Sequence, residues 1–306
     1  MAIENVALIG ASGTLGPSIL EALRAHPTFI PHVLNRHSSK SVYPRTHVIT
    51  IPDDLNTTDV TKLLKGKEID ALVIAIAGSH VEEQKKLIDA AFEAGVKRVI
   101  PAEFGSCDSA DEETNQVLPL MEGKKRVREY LIDISARERE GGAGKLTWTS
   151  LVTGHFFDWG LGNGLLKFDV KKRKAYLLDG GDIKFSASSL GFIADAVVKV
   201  LEKEEETKNK LLYVHSLHVT QKEVLKELER ATGEKWETID EDASKTIAEL
   251  RPKMLQRDLE AREEIVAVQG IVAADWTTRD AFANSMLGLR EENLSEVIDR
   301  ALGGRK

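Results

Sequence analysis

The sequence predicts an α/β fold built on a doubly wound parallel sheet, and three observations carry that expectation. Short apolar runs of strand length alternate with amphipathic stretches of helix length along the N-terminal part of the chain. One run, DALVIAIA at Asp70–Ala77, is apolar almost throughout, as a strand buried on both faces of a parallel sheet must be. The first run, Val6–Ile9, ends in a turn carrying Gly10, Gly13 and Gly16, and an amphipathic segment opens at Pro17.

Glycines let the backbone take positive φ and approach a ligand closely, and the free N–H groups of a helix's first turn attract an anion. The spacing Gly10-x-x-Gly13-x-x-Gly16 is a looser form of the G-x-G-x-x-G dinucleotide fingerprint. Gly10, Ser12, Gly13, Thr14, Leu15 and Gly16 are therefore the candidate pyrophosphate cradle of a Rossmann-type sheet. The alternative is a plain strand-to-helix turn.

The elements follow in order. A helix from Pro17 to Ala25 leads to a second strand at Phe29–Asn35, then to Arg36, His37, Ser38, Ser39 and Lys40. An NAD-preferring unit places an acidic residue about 20 residues past the glycines to hold the ribose 2′-hydroxyl. Here that position holds Arg36, whose guanidinium suits a 2′-phosphate, with Ser38 and Lys40 completing the pocket; NADPH is expected over NADH. An ordinary solvated loop is the alternative. A third strand at His47–Ile51, a helix at Thr58–Leu64, the Asp70–Ala77 strand, a helix at Val81–Ala94 stopped by Gly95, and a fifth strand at Val96–Ile100 complete the alternation. Ligands of such sheets lie beyond the C-terminal strand ends, here Gly10, Arg36, Ala77 with Gly78, and Pro101–Gly105.

Ser106–Thr114, polar and acidic, reads as a loop over the mouth of the sheet, and a helix is expected at Leu118–Arg137. Its apolar residues Leu120, Val127, Tyr130, Leu131 and Ile134 define a buried face; Lys124 lies about 70° from its centre and Lys125 points away. A lysine on that edge either snorkels to water or serves as a general acid or base beside a cofactor. The Y-x-x-x-K couple of the usual short-chain reductases is missing, since Leu120 and Met121 stand four residues before the two lysines. Any proton chemistry here falls to a lysine without a tyrosine.

Together GASGTLG, LNRHSSK, AGVKRVIPAEFG, GKKRVREYL and LDGGDIKFSASSLGFIADAVVKVL resemble the NmrA-like atypical short-chain dehydrogenases, and within them the isoflavone reductase and phenylcoumaran benzylic ether reductase group. The stretch TGHFFDWG, Thr153–Gly160, looks most like fungal members. The resemblance implies that Lys124 handles the proton, that the glycine turn holds the pyrophosphate and Arg36 with Lys40 the 2′-phosphate. It places Phe104 and the Thr153–Phe156 turn near the nicotinamide. Plant members carry Ser where this chain has Ala102.

In the C-terminal half, Leu146–Val152 reads as a strand returning to the sheet. The cluster His155, Phe156, Phe157 and Trp159 after it is expected either as a wall for a flat aromatic substrate or as a core plug. Lys167–Lys174 reads as a charged hairpin with a solvated basic face. Helices are expected at Leu190–Leu201, from the Thr220–Glu223 capping signal to Ala231, at Asp240–Ala261 and at Asp280–Leu302, with a strand at Leu211–His215. This divides the chain into a dinucleotide domain at 1–154 and a smaller, mostly helical substrate region at 155–306, with some strands returning to the main sheet.

The 306 residues carry a net charge of -7, which argues against a nucleic-acid partner. The single Cys107 forms no internal disulfide, the histidines show no metal spacing, and the longest apolar run is too short to span a bilayer. The expectation is a cytoplasmic monomer or homodimer, off the membrane and without metal. Its expected activity is NADPH-dependent reduction of a small aromatic or conjugated metabolite: an enone, a quinone methide or a benzylic ether. The second reading is a non-catalytic NADP(H)-sensing regulator acting through a protein partner.

Overall fold

The computed structural model describes residues 2–139 and 144–303. The chain begins β1 (Asn5–Ile9), α1 (Gly16–Ala25), β2 (Ile30–Arg36), β3 (His47–Ile51), α2 (Thr57–Gly66), β4 (Ala71–Ile74), α3 (Val81–Ala94) and β5 (Arg98–Ile100). It continues through α4 (Glu112–Val117), α5 (Leu120–Ala136), β6 (Thr147–Val152), β7 (His155–Phe156), α6 (Phe157–Asn163), β8 (Phe168–Asp169), β9 (Lys174–Leu178) and β10 (Phe185–Ser188). Then come α7 (Leu190–Glu202), α8 (Glu204–Thr207), β11 (Lys210–Tyr213), β12 (Leu217–Val219), α9 (Gln221–Thr232) and β13 (Glu237–Glu241). The last helices are α10 (Ala243–Leu255), α11 (Leu259–Val272), α12 (Asn284–Leu287) and α13 (Leu294–Gly303).

These elements form two compact units, each assembled from three chain segments: Met1–Glu103, Gly123–Leu151 and Ile193–Leu212 in the first, Phe104–Glu122, Val152–Phe192 and Tyr213–Lys306 in the second. The division differs from a single cut at 154, because 104–122 leaves the first unit and 193–212 returns to it.

The first unit is built on a seven-stranded sheet of order β11-β6-β5-β4-β1-β2-β3. Pairing is parallel from β3 across to β6. The strand expected at Asp70–Ala77 stops at Ile74: Ala75 N–H bonds the Ile9 carbonyl at 2.9 Å, and its own carbonyl lies against Gly10, so the chain leaves the ladder where the glycine turn begins. Leu34, Ile51, Leu72, Leu87, Val99 and Leu131 belong to one buried cluster in this unit. α3 ends on Gly95 at φ 85, the left-handed cap that glycine adopts without a Cβ penalty. Arg98 is fully buried and joins the three segments. Its guanidinium donates to the hydroxyls of Thr147 (2.8 Å), Thr149 (3.0 Å) and Thr207 (2.9 Å) and to the Glu204 carbonyl (2.6 Å). Burial pulls its pKa down to about 10, so it stays charged at neutral pH.

The second unit holds two three-stranded sheets, β12-β10-β7 and β13-β9-β8, with α6 and α9–α13. Phe157, Phe168, Phe185 and Trp276 are its largest fully buried apolar side chains. The Thr220 signal is a complete capping box at α9, which ends on Gly233 at φ 69. Two expectations are corrected here. Lys167 is not part of a solvated face: it is 6% exposed, its ammonium pairs with Glu264 and, at 2.9 Å, with Glu241, and it lies 5.2 Å from the centre of the Tyr176 ring. The acidic stretch after Ser106 is not an open loop either. Cys107, Asp108 and Ser109 are buried, Tyr213 OH donates to Asp108 at 2.8 Å, and α4 starts at Glu112 behind an Asp111 cap. Among the described residues no helix is long and apolar enough to cross a membrane.

Candidate active site

The glycine turn of the first unit is shaped by the backbone it must touch. Gly10 has φ +87, and a Cβ there would lie 2.6 Å from the carbonyl carbon of Ala75. At Gly16 a Cβ would lie 2.6 Å from Ala11 Cα; at Gly13 the nearest atom, the Gly10 carbonyl oxygen, would be 3.3 Å away. Gly10 and Gly16 are thus required by the turn itself. Gly13 instead keeps its exposed side open. Ser12, Gly13 and Thr14 face solvent, while Leu15 is buried and anchors the start of α1. No side chain caps this helix, so its first amides point outward into the turn. A diphosphate fits such a cradle.

Beside it, β2 delivers Arg36, half-buried at the strand end, and the exposed Ser38 and Lys40 follow. His37 N–H bonds the Ile51 carbonyl at 3.0 Å and Ser39 N–H the Arg36 carbonyl at 2.9 Å, which turns this loop back along β3. Ser38 gives both its amide (3.0 Å) and its hydroxyl (2.7 Å) to the carboxylate of Asp53. Those two bonds, aided by the nearby His37 and Arg36 charges, hold the Asp53 carboxyl below the usual range.

Lys124 stands at the C-terminal ends of β4 and β5. α5 brings it there because Gly78 and Gly123 leave room: a Cβ on Gly78 would lie 2.9 Å from Lys124 Cε, and one on Gly123 would lie 3.1 Å from Val81 Cγ2. The half-buried ammonium donates to the backbone carbonyl of Glu103. Glu103 is itself locked in place, since its buried carboxylate accepts from Arg128 at 2.9 Å. The amide of the adjacent Ala102 donates to buried Gln84 at 3.0 Å. The lysine head is therefore oriented by a rigid strand end. Ala77, exposed in the turn after β4, accepts from His80 N–H at 3.0 Å.

The remaining candidates lie in the second unit, and they do not form a single wall. His155 is 1% exposed and Phe157 is fully buried, which corrects their assignment to a substrate surface. β7 pairs with β10 through Ala187 and Ser188, and this register turns the His155 ring inward against α11. A Cβ on Gly270 would lie 2.8 Å from its Cδ2, and its Nε2–H donates to the Ala267 carbonyl at 3.2 Å. Burial pushes its pKa down to about 4, so the ring is neutral. Phe156 is half-buried and Trp159 is 44% exposed, and their rings meet edge-on with centroids 6.5 Å apart. Phe104 is 8% exposed and holds φ 30, a conformation rare outside glycine.

Comparison with known proteins places this geometry in a family. The model of the NmrA-like family matches residues 3–138. The oxidoreductase aprR of Aspergillus flavus is 32% identical over 98% of this chain and 99% of its own length. The chain belongs to the NmrA-like family. Among solved structures, AtPrR2 with NADP+ and (+)-pinoresinol superimposes with a TM-score of 0.79 at 21% identity, covering 98% of this chain and 99% of that one. An isoflavone reductase superimposes with a TM-score of 0.74 at 20% identity over 98% and 99% of the two chains. In this NmrA-like chain, the glycine turn, Arg36 and Lys124 were candidates from the sequence, whereas Glu103, Arg128, Gln84 and Asp53, which hold Lys124 and Ser38 in place, were not. The AEFG segment after β5 is the one local signal for Glu103; the pairing of Asp53 with Ser38 leaves none.

Proposed function

We propose that this chain is an NADPH-dependent reductase of small aromatic or conjugated metabolites, with Lys124 as its proton-handling residue. The observation that carries the proposal is the position of Lys124, fixed over Gly78 by the Glu103 carbonyl at the same strand-end edge that presents the glycine turn and Arg36. The first unit is then the cofactor unit, and the second supplies substrate recognition, with Phe156 and Trp159 as its accessible aromatic surface.

The residues present fit NADPH. The Gly10–Gly16 turn would hold the pyrophosphate against the α1 amides, and Arg36 with Lys40 would neutralise the 2′-phosphate. Bound there, the nicotinamide supplies a hydride to an electrophilic carbon of the substrate. Lys124 supplies the complementary half: its Nζ donates a proton or a charge-assisted hydrogen bond to the oxygen on which negative charge develops. Glu103, clamped by Arg128, keeps the ammonium aimed during that transfer and so removes most of its rotational freedom.

The test is NADPH oxidation across a panel of enones, quinones and benzylic ethers by wild type and Lys124→Ala. Turnover that falls by roughly 10²- to 10⁴-fold in Lys124→Ala with NADPH binding retained supports the role. Undiminished turnover in the variant removes it. Tight NADPH binding without turnover of any compound replaces the reductase with the NADP(H)-sensing regulator.

A further inference from the structure

We infer that Asp53 sets the cofactor discrimination of this protein: it holds Ser38 in a carboxylate clasp that a ribose 2′-phosphate must open before Ser38 contributes to binding. The inference rests on the proposed NADPH reading and concerns a residue outside the Arg36–Lys40 segment.

The clasp is formed by donors that cannot be shared. Ser38 has one amide hydrogen and one hydroxyl hydrogen, and both point at the same oxygen, Oδ1 of Asp53, at 3.0 and 2.7 Å. A phosphate oxygen only accepts, so it competes with that oxygen for the same two hydrogens. The clasp is also preorganised. Pro52 follows β3, the His37–Ile51 bond ties the two strand ends together, and Asp53 stands opposite Ser38 as a result. Asp53 is exposed and ionised at neutral pH, with Arg36 and His37 in its field; the Glu83 carboxylate on α3 feels Arg36 as well.

The consequence differs for the two dinucleotides. A 2′-phosphate brings negative charge towards Asp53 and must displace it, whereas a ribose 2′-hydroxyl is a donor that a carboxylate accepts. Asp53 thus lowers affinity for NADPH and leaves NADH unaffected or slightly favoured, and it narrows a preference that Arg36, Ser38 and Lys40 alone would make wide.

The experiment measures dissociation constants of NADPH and NADH for wild type, Asp53→Asn, Asp53→Ala, Arg36→Ala, Ser38→Ala and the Asp53→Asn/Ser38→Ala double variant. Replacing Asp53 with Asn removes the charge, and a neutral hydrogen bond to Ser38 is roughly half as strong as a charged one. NADPH should then bind roughly 3- to 10-fold tighter with NADH changed less than about 2-fold, a separation set by the strength of charge-assisted over neutral hydrogen bonding. Asp53→Ala should follow the same direction. Ser38→Ala should cost more NADPH affinity in the Asp53→Asn background than in wild type, because only there is Ser38 free to serve the phosphate. Equal weakening of both dinucleotides in the two Asp53 variants assigns Asp53 a loop-supporting role and overturns the inference, as does an unchanged NADPH-to-NADH ratio. If wild type binds neither dinucleotide, the proposed function fails and the clasp with it. If wild type binds NADPH and Arg36→Ala weakens it while the Asp53 variants leave the ratio alone, only the clasp fails.

Discussion

The three glycines of the Gly10–Gly16 turn should separate cleanly into two kinds when each is replaced by alanine. At Gly16 the new methyl would sit 2.6 Å from Ala11 Cα and 2.7 Å from its carbonyl carbon, against ordinary contact from 3.4 Å, so backbone must yield by well over half an ångström. No rotamer escape exists, and overpacking of this kind costs about 3 kcal/mol. Gly10→Ala meets the Ala75 carbonyl just as closely and adds about 1–2 kcal/mol for a left-handed φ. Gly13→Ala meets only the Gly10 oxygen at 3.3 Å and the Ala75 oxygen at 3.6 Å, a strain that a few tenths of an ångström relieve. The melting temperature followed by circular dichroism should therefore drop by roughly 10 °C for Gly16→Ala and by roughly 15 °C for Gly10→Ala, at about 2–4 °C per kcal/mol. It should change little for Gly13→Ala. NADPH titration should show the reverse for Gly13→Ala, an affinity loss of roughly 10- to 100-fold in a stably folded protein, because its methyl would stand where the pyrophosphate approaches. A Gly16→Ala protein that melts with wild type, or a Gly13→Ala protein that melts with Gly16→Ala, would refute this account of the turn.

Other outcomes follow from features of each unit. Arg128→Ala should break the buried ion pair with Glu103, costing about 3–5 kcal/mol in denaturant unfolding; Arg128→Lys should recover part of that loss, and full stability in Arg128→Ala would show the pair to be idle. Removing the Lys167 ammonium as Lys167→Met leaves Glu241 and Glu264 facing each other, and a loss of about 3 kcal/mol is expected, with Glu241→Gln partly restoring it. The pKa of His155 is depressed to about 4 by burial, so its neutral form stabilises the fold fully above the ordinary value of 6.5, and that contribution drains away as pH falls from 6.5 towards 4. The difference in unfolding free energy between pH 7.5 and 4.5 should therefore shrink by about 2–3 kcal/mol in His155→Gln, and an unaltered pH profile would show that the ring is not buried as neutral imidazole.

The first unit was legible because its signals are local. A strand, a glycine turn and an amphipathic helix each fit in a window of a dozen residues, and buried strands such as Ala71–Ile74 declare themselves by composition. Helix α5 and the inward edge position of Lys124 followed from periodicity alone. What the sequence hid was pairing at a distance. Lys167 looks like one of several basic residues in a charged stretch, and nothing nearby tells of Glu241 and Glu264, which reach it from β13 and α11. The aromatic cluster after β6 misled for a related reason. Its residues are adjacent in sequence, but the short strand β7 alternates its faces, so His155 turns into the core while Phe156 does not.

The way the chain is shared between its units bears on how such a protein can be altered. Because Arg98 draws its hydrogen-bond acceptors from β6, α8 and the end of that helix, the first unit is complete only when residues far apart in the gene arrive together. No contiguous stretch of coding sequence specifies the first unit, so recombination at one breakpoint cannot graft it onto a new partner. The same holds for the second unit, whose three segments interleave with those of the first, so either unit can be altered piecemeal but not exchanged as a block.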